Sequence, residues 1–183
     1  MSLFQTLQED VYNWSLKNFG DQRDFYPFMG LGEEAGELAD ALESPIEPTD
    51  VENNFEPSEE ELDAVGDMLV YLADFCARRG LDYQEAYDSY CNVSPTHDNF
   101  WREFISARGE IERSILKQEQ GIDDSEKYAD GNRVGLEAEQ KALARLLRSI
   151  NDFANKRGYT LEECIRVAWY HEVSDREWDS NFN

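Results

Sequence analysis

No apolar run in the 183-residue chain approaches the roughly 18 residues needed to cross a bilayer, and the N-terminus has no basic stretch leading into an apolar one. The expectation is a soluble, cytoplasmic protein with no membrane partner. Cations are scarce too: 17 Lys and Arg stand against 40 Asp and Glu, a net charge of −23. Affinity for a nucleic-acid backbone comes mainly from Lys and Arg displacing condensed counterions, which argues against free DNA or RNA as a partner. A phosphorylated small molecule stays open, because divalent cations held by carboxylates reverse the local field. The acid excess, with Arg outnumbering Lys, also suits a surface kept hydrated in high salt. Cys76, Cys91 and Cys164 form no CxxC pair and are odd in number, which reads as core thiols rather than disulfides or zinc ligands. His97 and His171 are the only histidines, and no nucleophile, base and orienter set stands around them. There is no GxxxxGK[ST] sequence, hence no P-loop, and no sustained period-two alternation to call for strands.

What is present is helical periodicity, with 40% hydrophobic residues to supply a core. Leu7, Val11, Trp14 and Phe19 make an amphipathic helix over Gln5 to Asn18, ending near Gly20. Phe28, Leu31, Ala35, Leu38 and Leu42 continue the pattern from about Phe25 until Ser44-Pro45 stops it. Ser44 to Pro57, with three prolines, reads as a loop. Ser58 is a good N-cap with Glu61 at the capping-box position, and a long helix follows to Arg79-Gly80, burying Val65, Met68, Leu69, Leu72 and Cys76. Another helix starts near Asp82, carries Ala86, Tyr87 and Tyr90, and precedes the Ser94-Pro95 break.

The second half echoes the first. Asp74-Phe75-x-x-Arg78-Arg79-Gly80-Leu81-x-x-x-Glu85 resembles Asp152-Phe153-x-x-Lys156-Arg157-Gly158-Tyr159-x-x-x-Glu163, 78 residues on, and Gly36-Glu37-Leu38 resembles Gly109-Glu110-Ile111, 73 residues on. The expected architecture is an all-α helical bundle of two pseudo-repeated units, 1–95 and 96–183, produced by a degenerate tandem duplication.

Carboxylates carry the candidate chemistry. Glu33, Glu34 and Glu37 stand at spacings that share a helix face, and Glu60, Asp63 and Asp67 do the same on the long helix. Like charges so placed repel by a few tenths of a kcal/mol per exposed pair unless something positive sits among them. Two such helices face to face would make an oxygen-lined site for a hard divalent cation, which binds together with substrate phosphates. The plain alternative is a solvated charged face, since carboxylates three apart arise often by chance among 40 acids. Against it, Leu31, Ala35, Leu38, Met68, Leu69 and Tyr71 set both clusters beside apolar seams.

The combination of Trp14-x-x-x-Asn18-Phe19-Gly20, Gly30-Leu31-Gly32-Glu33-Glu34-Ala35-Gly36-Glu37-Leu38-Ala39-Asp40-Ala41-Leu42 and Glu60-Glu61-Leu62-Asp63-Ala64-Val65-Gly66-Asp67-Met68-Leu69-Val70-Tyr71-Leu72 resembles the MazG-like branch of the all-α NTP pyrophosphatases, over about residues 5 to 93. The resemblance implies an E-x-x-E motif and an E-x-x-D motif on successive helices. Together they hold magnesium, with manganese as the alternative, and cleave an NTP to the monophosphate and pyrophosphate. By position it makes Glu34 and Glu37 the first ligand pair and Glu33 the group that orients or deprotonates water. For the second pair Glu60-x-x-Asp63 fits the motif literally, whereas Asp67 directly precedes the apolar run; all three remain candidates. Trp14, Lys17, Asn18, Tyr71 and Asn92 are candidates for the nucleotide site. In the second half Ala107, Lys141 and Arg145 face Glu34, Asp63 and Asp67, and only Glu110 survives, in place of Glu37, so that half is expected to be structural. Its Arg108, Arg113, Lys141, Arg145 and Arg148 either approach substrate phosphates or pair with neighbouring acids. The assembly is a monomeric pseudo-dimer or a homodimer. Two rival readings stand beside the enzyme: an inactive nucleotide-binding or regulatory protein of the same fold, and an acidic helical interaction module.

Overall fold

A computed structural model describes residues 2–43, 57–97, 99–122 and 135–177. The protein is all-α: among the described residues there are seven helices and no strand. They are α1 (Leu3–Phe19), α2 (Phe25–Glu43), α3 (Glu59–Arg79), α4 (Tyr83–Ser89), α5 (Phe100–Glu119), α6 (Leu136–Arg157) and α7 (Leu161–Ile165). A 3-10 turn, Tyr90–Asn92, follows α4, and a π-helical segment, Arg166–Val173, continues α7. None of these helices is long and apolar enough to cross a membrane.

Local chemistry sets the helix ends. Gly20, at φ 71°, ends α1 with its N–H on the Leu16 carbonyl. Ser58 Oγ accepts the Glu61 N–H at 3.1 Å to start α3, and Gly80 closes it in the left-handed conformation. Glu59 to Glu61 in the first turn and Arg78 and Arg79 in the last suit the helix dipole. Asp82, Asn99 and Thr160 cap α4, α5 and α7 in the same way. Tyr90, expected in the fourth helix, lies in the 3-10 turn. The expected loop from Ser44 falls, for residues 44–56, outside the described residues.

The chain divides into two units, and the boundary differs from the one read at residue 95: the first unit is Met1–Gly80 with Ala154–Asn183, the second Leu81–Phe153. In the first unit α3 is the central element. It packs on α1, α2, α7 and the π-helical segment, and it buries Val65, Met68, Leu69, Leu72, Phe75 and Cys76 completely. Gly66 explains why α7 belongs here. A Cβ on Gly66 would stand 2.3 Å from the Cys164 carbonyl oxygen and 2.5 Å from Ala168 Cβ, so its absence opens the notch in which the last helix sits. Glu61, 2% exposed, fixes the same end: its carboxylate accepts from Arg157 Nε (2.7 Å) and Nη2 (2.6 Å) and from the Tyr159 hydroxyl (2.9 Å). The capping box expected at Ser58 is therefore half formed, because the Glu61 side chain is taken by these long-range partners. Cys76 and Cys164 are buried and in no disulfide, as core cysteines should be.

The second unit holds α4, α5 and most of α6, around Phe104, Ile111, Leu143, Leu146 and Ile150. Arg145 is its electrostatic centre. Its Nε donates to Glu103 at 2.7 Å and its Nη1 to Glu110 at 2.7 Å. Gln140 Nε2 ties α6 to the Asp82 carbonyl at 2.7 Å.

Candidate acidic site in the first unit

The connection from α1 to α2 is clamped onto α3 by a buried polar network. Arg78 Nε donates to Asp74 Oδ1 at 2.9 Å, its Nη2 to Ser15 Oγ at 2.8 Å and its Nη1 to the Gln22 carbonyl at 2.8 Å. Ser15 Oγ in turn donates to Asp74 Oδ2 at 2.8 Å. Burial pushes the Asp74 carboxyl above its ordinary range despite these bonds. Arg79 holds Asp24 at 2.8 Å, so one turn of α3 orders the entry to α2.

That clamp leaves a cavity of about 490 Å³ between α1, α2 and α3, within the span of small-molecule sites. Trp14, Phe19, Tyr26 and Tyr71 give it aromatic walls, Glu33, Glu34 and Asp67 an acidic side, and Val173 and Arg176 arrive from the end of the π-helical segment. Gly30 makes room for one wall: a Cβ there would lie 2.4 Å from the Tyr71 ring. Trp14 meets Trp169 edge-on at 5.7 Å and Phe19 at 5.4 Å, and its Nε1 donates to the Arg176 carbonyl at 2.9 Å.

Glu34 is the unusual group. It is 7% exposed, lines the cavity and has no hydrogen-bond or ion-pair partner among the described residues. Burial, then the charges of Asp67, Glu37, Glu33 and Asp63, push its carboxyl up to about 8. Asp67 is pushed to about 7 by burial, Asp63, Glu172 and Glu37, with Arg176 opposing. Asp63 is raised by burial, Glu172 and Glu37, and its Oδ1 is buried without a hydrogen bond. Burial and the same acids lift the Tyr71 hydroxyl to about 12. Burial and the carboxylates of two helices thus raise these groups together, with Arg176 opposing at Asp63 and Asp67. Among the described residues no three Asp, Glu, His or Cys side chains gather closely enough to make a ready metal cage. The donors nevertheless fit a hard divalent ion in kind: all are carboxylates, Glu34 is 7% exposed, and the Asp63 Oδ1 is buried without a hydrogen bond among the described residues.

The sequence candidates fall into three groups. Trp14, Glu33, Glu34, Asp67 and Tyr71 line the cavity; Glu37 and Asp63 act on Glu34 by charge from beside it. Glu60 is exposed in the first turn of α3 and is not in the cavity wall. Asn18 is buried and donates to the Trp14 carbonyl at 2.9 Å, supporting the wall from behind, while Lys17 is exposed and paired with Glu177. Asn92 is exposed and belongs to the second unit. Of the second-half cations, Arg108 pairs with Glu112, Lys141 with Glu137, Arg148 with Asp152 and Arg145 with Glu103 and Glu110. Sequence reasoning missed Glu172 and Arg176, whose only local signal is an i,i+4 spacing that pairs them at 2.6 Å. Compared with known proteins, the chain matches no family model, no curated protein and no solved structure.

Proposed function

We propose that the protein is a magnesium-dependent nucleoside triphosphate pyrophosphohydrolase of MazG-like type, converting a (d)NTP to the monophosphate and pyrophosphate. The observation that carries this is Glu34: a buried carboxyl with no hydrogen-bond or ion-pair partner among the described residues, raised to about 8 by burial and then by the charges of Asp67, Glu37, Glu33 and Asp63, in the wall of an aromatic-lined cavity. A solvated charged face does not bury its acids or leave them without donors.

Within this reading Glu34, Glu37, Asp63 and Asp67 would hold magnesium, or manganese in its place. The bound metal would supply charge neutralisation on the phosphates and a lowered pKa for an attacking water. The chain does the rest. Trp14 and Tyr71 offer flat apolar faces against which a base can stack. Glu33, exposed in the cavity wall, would accept the proton of the attacking water. Asn18 and the Arg78 network hold Trp14 and the α1–α2 connection still, so that the walls are preformed.

The second unit supports the same reading by contrast. On the offsets of the proposed duplication, Arg145 stands where the first half has Asp67, and Glu110 where it has Glu37. There a guanidinium is built in among the acids, and it holds the Glu103 carboxyl below its ordinary range against the effect of burial. Among the described residues of the first unit the cavity keeps its acids, and the cation in its lining is Arg176, which pairs with Glu172.

The test is pyrophosphate release from canonical and modified NTPs and dNTPs with magnesium, wild type against Glu34→Gln and Glu37→Gln. Activity in the wild type that both variants lose establishes the reading. Nucleotide binding without turnover establishes instead an inactive binding or regulatory protein, and neither binding nor turnover at low or high salt removes the nucleotide altogether.

A further inference from the structure

Resting on that functional reading, we infer that Arg176 is the phosphate-contacting residue of this site, supplied by the far end of the chain and parked on Glu172 until a polyphosphate displaces it.

Among the described residues that line the cavity, Arg176 is the only cation. A triphosphate drawn into a wall of carboxylates needs positive charge beyond the metal, and a guanidinium meets phosphate oxygens with two parallel N–H donors. The backbone of Arg176 is anchored, while its side chain reaches solvent. Its carbonyl accepts the Trp14 indole N–H at 2.9 Å and its own N–H donates to the Val173 carbonyl at 2.9 Å, anchoring the backbone to the aromatic wall. The guanidinium is about half exposed and bonded to Glu172 at 2.6 Å. An exposed i,i+4 pair is worth well under about 1 kcal/mol, so a phosphate chain carrying several charges can take the arginine from Glu172 at little cost. Arg176 shares the cavity lining with Glu33, Glu34 and Asp67. The widened π-helical turn before it, in which the Ser174 N–H reaches back to the Trp169 carbonyl, delivers the residue to the cavity mouth.

The experiment uses the full chain, inorganic tripolyphosphate with magnesium as a base-free probe, and manganese alone as a metal probe, each titrated calorimetrically. Arg176→Gln is expected to weaken tripolyphosphate binding about 10- to 100-fold. The same variant should bind manganese as tightly as the wild type or more tightly, because a positive neighbour of Asp63 and Asp67 is gone. Arg176→Lys should recover part of the tripolyphosphate affinity. A variant that merely disturbs the fold would lose both ligands together, and that outcome overturns the inference. Unchanged tripolyphosphate affinity in Arg176→Gln also overturns it, leaving the metal site standing. A wild type that binds manganese but no tripolyphosphate does the same, and one that binds neither refutes the functional reading as well.

Discussion

Replacing Arg145 by Met tests whether the second unit is held by a built-in cation. The Arg145 and Glu103 side chains are 10% and 4% exposed, and the pair lies at 2.7 Å. Removing one partner of a buried pair typically costs about 3–5 kcal/mol, because the other charge is left uncompensated. Glu103 would keep two backbone donors, Thr96 and His97, both at 2.8 Å. The loss should therefore sit at the lower end, about 3 kcal/mol, or roughly 6–12 °C in the melting temperature of a chain this size. Double replacement with Glu103→Leu should be less damaging than Arg145→Met alone, since no charge then remains buried.

The pH dependence gives the sign. Burial acts to raise the Glu103 carboxyl, but the hydrogen bond and charge of Arg145, with the His97 and Thr96 N–H groups, hold it below the ordinary value. In the wild type this group's contribution is complete above the unfolded carboxyl range, near 4.5, and is lost as pH falls through the lowered folded value. Without Arg145 burial dominates, the folded value rises, and acid relieves the variant instead of weakening it. Thermal and urea unfolding followed by circular dichroism from pH 4 to 8 should show the gap between wild type and Arg145→Met narrowing toward acid. A loss under about 1 kcal/mol at neutral pH, or a gap that does not change with pH, would refute the reasoning.

Glu34→Gln should abolish pyrophosphate release and weaken manganese binding, yet raise the melting temperature of metal-free protein by roughly 2–4 °C, because one of several mutually repelling carboxylates is removed; a lower melting temperature would speak against unneutralised crowding. EDTA should lower wild-type stability only if the protein is purified with metal, and added magnesium should stabilise wild type more than Glu34→Gln. Gly66→Ala should destabilise more than Gly30→Ala, because its Cβ would meet the Cys164 backbone at 2.3 Å, whereas the Gly30 methyl meets the Tyr71 ring, which can swing into the cavity. Gly30→Ala should instead weaken nucleotide binding, and equal stability losses in the two variants would contradict the packing argument.

The helices were legible because their signals are local. Ser58 and Gly80 bracket α3 by hydrogen bonds and a left-handed residue that need no tertiary partner, and the apolar stripe Val65, Met68, Leu69, Leu72 and Cys76 is fully buried as its period requires. The division into units was not legible. It depends on which surfaces fit, and the deciding feature is a missing Cβ at Gly66 that accepts Cys164 and Ala168 from the other end of the chain. Glu61 illustrates the same limit, since its place three residues after Ser58 spoke for a local capping bond while Arg157 and Tyr159 claim its carboxylate. A charged group takes the bidentate, desolvated partner over an exposed backbone N–H when tertiary structure offers one.

The acidic site stands between these cases. That Glu33, Glu34 and Glu37 share a face follows from helical spacing, but the partner register on α3 could not be chosen from spacing, because Glu60, Asp63 and Asp67 all obey it. The fold separates them by depth. Asp67 lines the cavity and is the nearest charge in effect on Glu34, and Asp63 stands one turn back with a buried, unpaired oxygen. Glu60 lies in the exposed first turn, where the helix dipole already favours an acid and no cation is needed to explain it. On this ordering Asp67 and Asp63 are the residues whose amides, Asp67→Asn before Asp63→Asn, should most reduce manganese affinity in isothermal titration, with Glu60→Gln near wild type. A loss in Glu60→Gln equal to that in Asp67→Asn would mean that depth in the helix pair does not select the metal face.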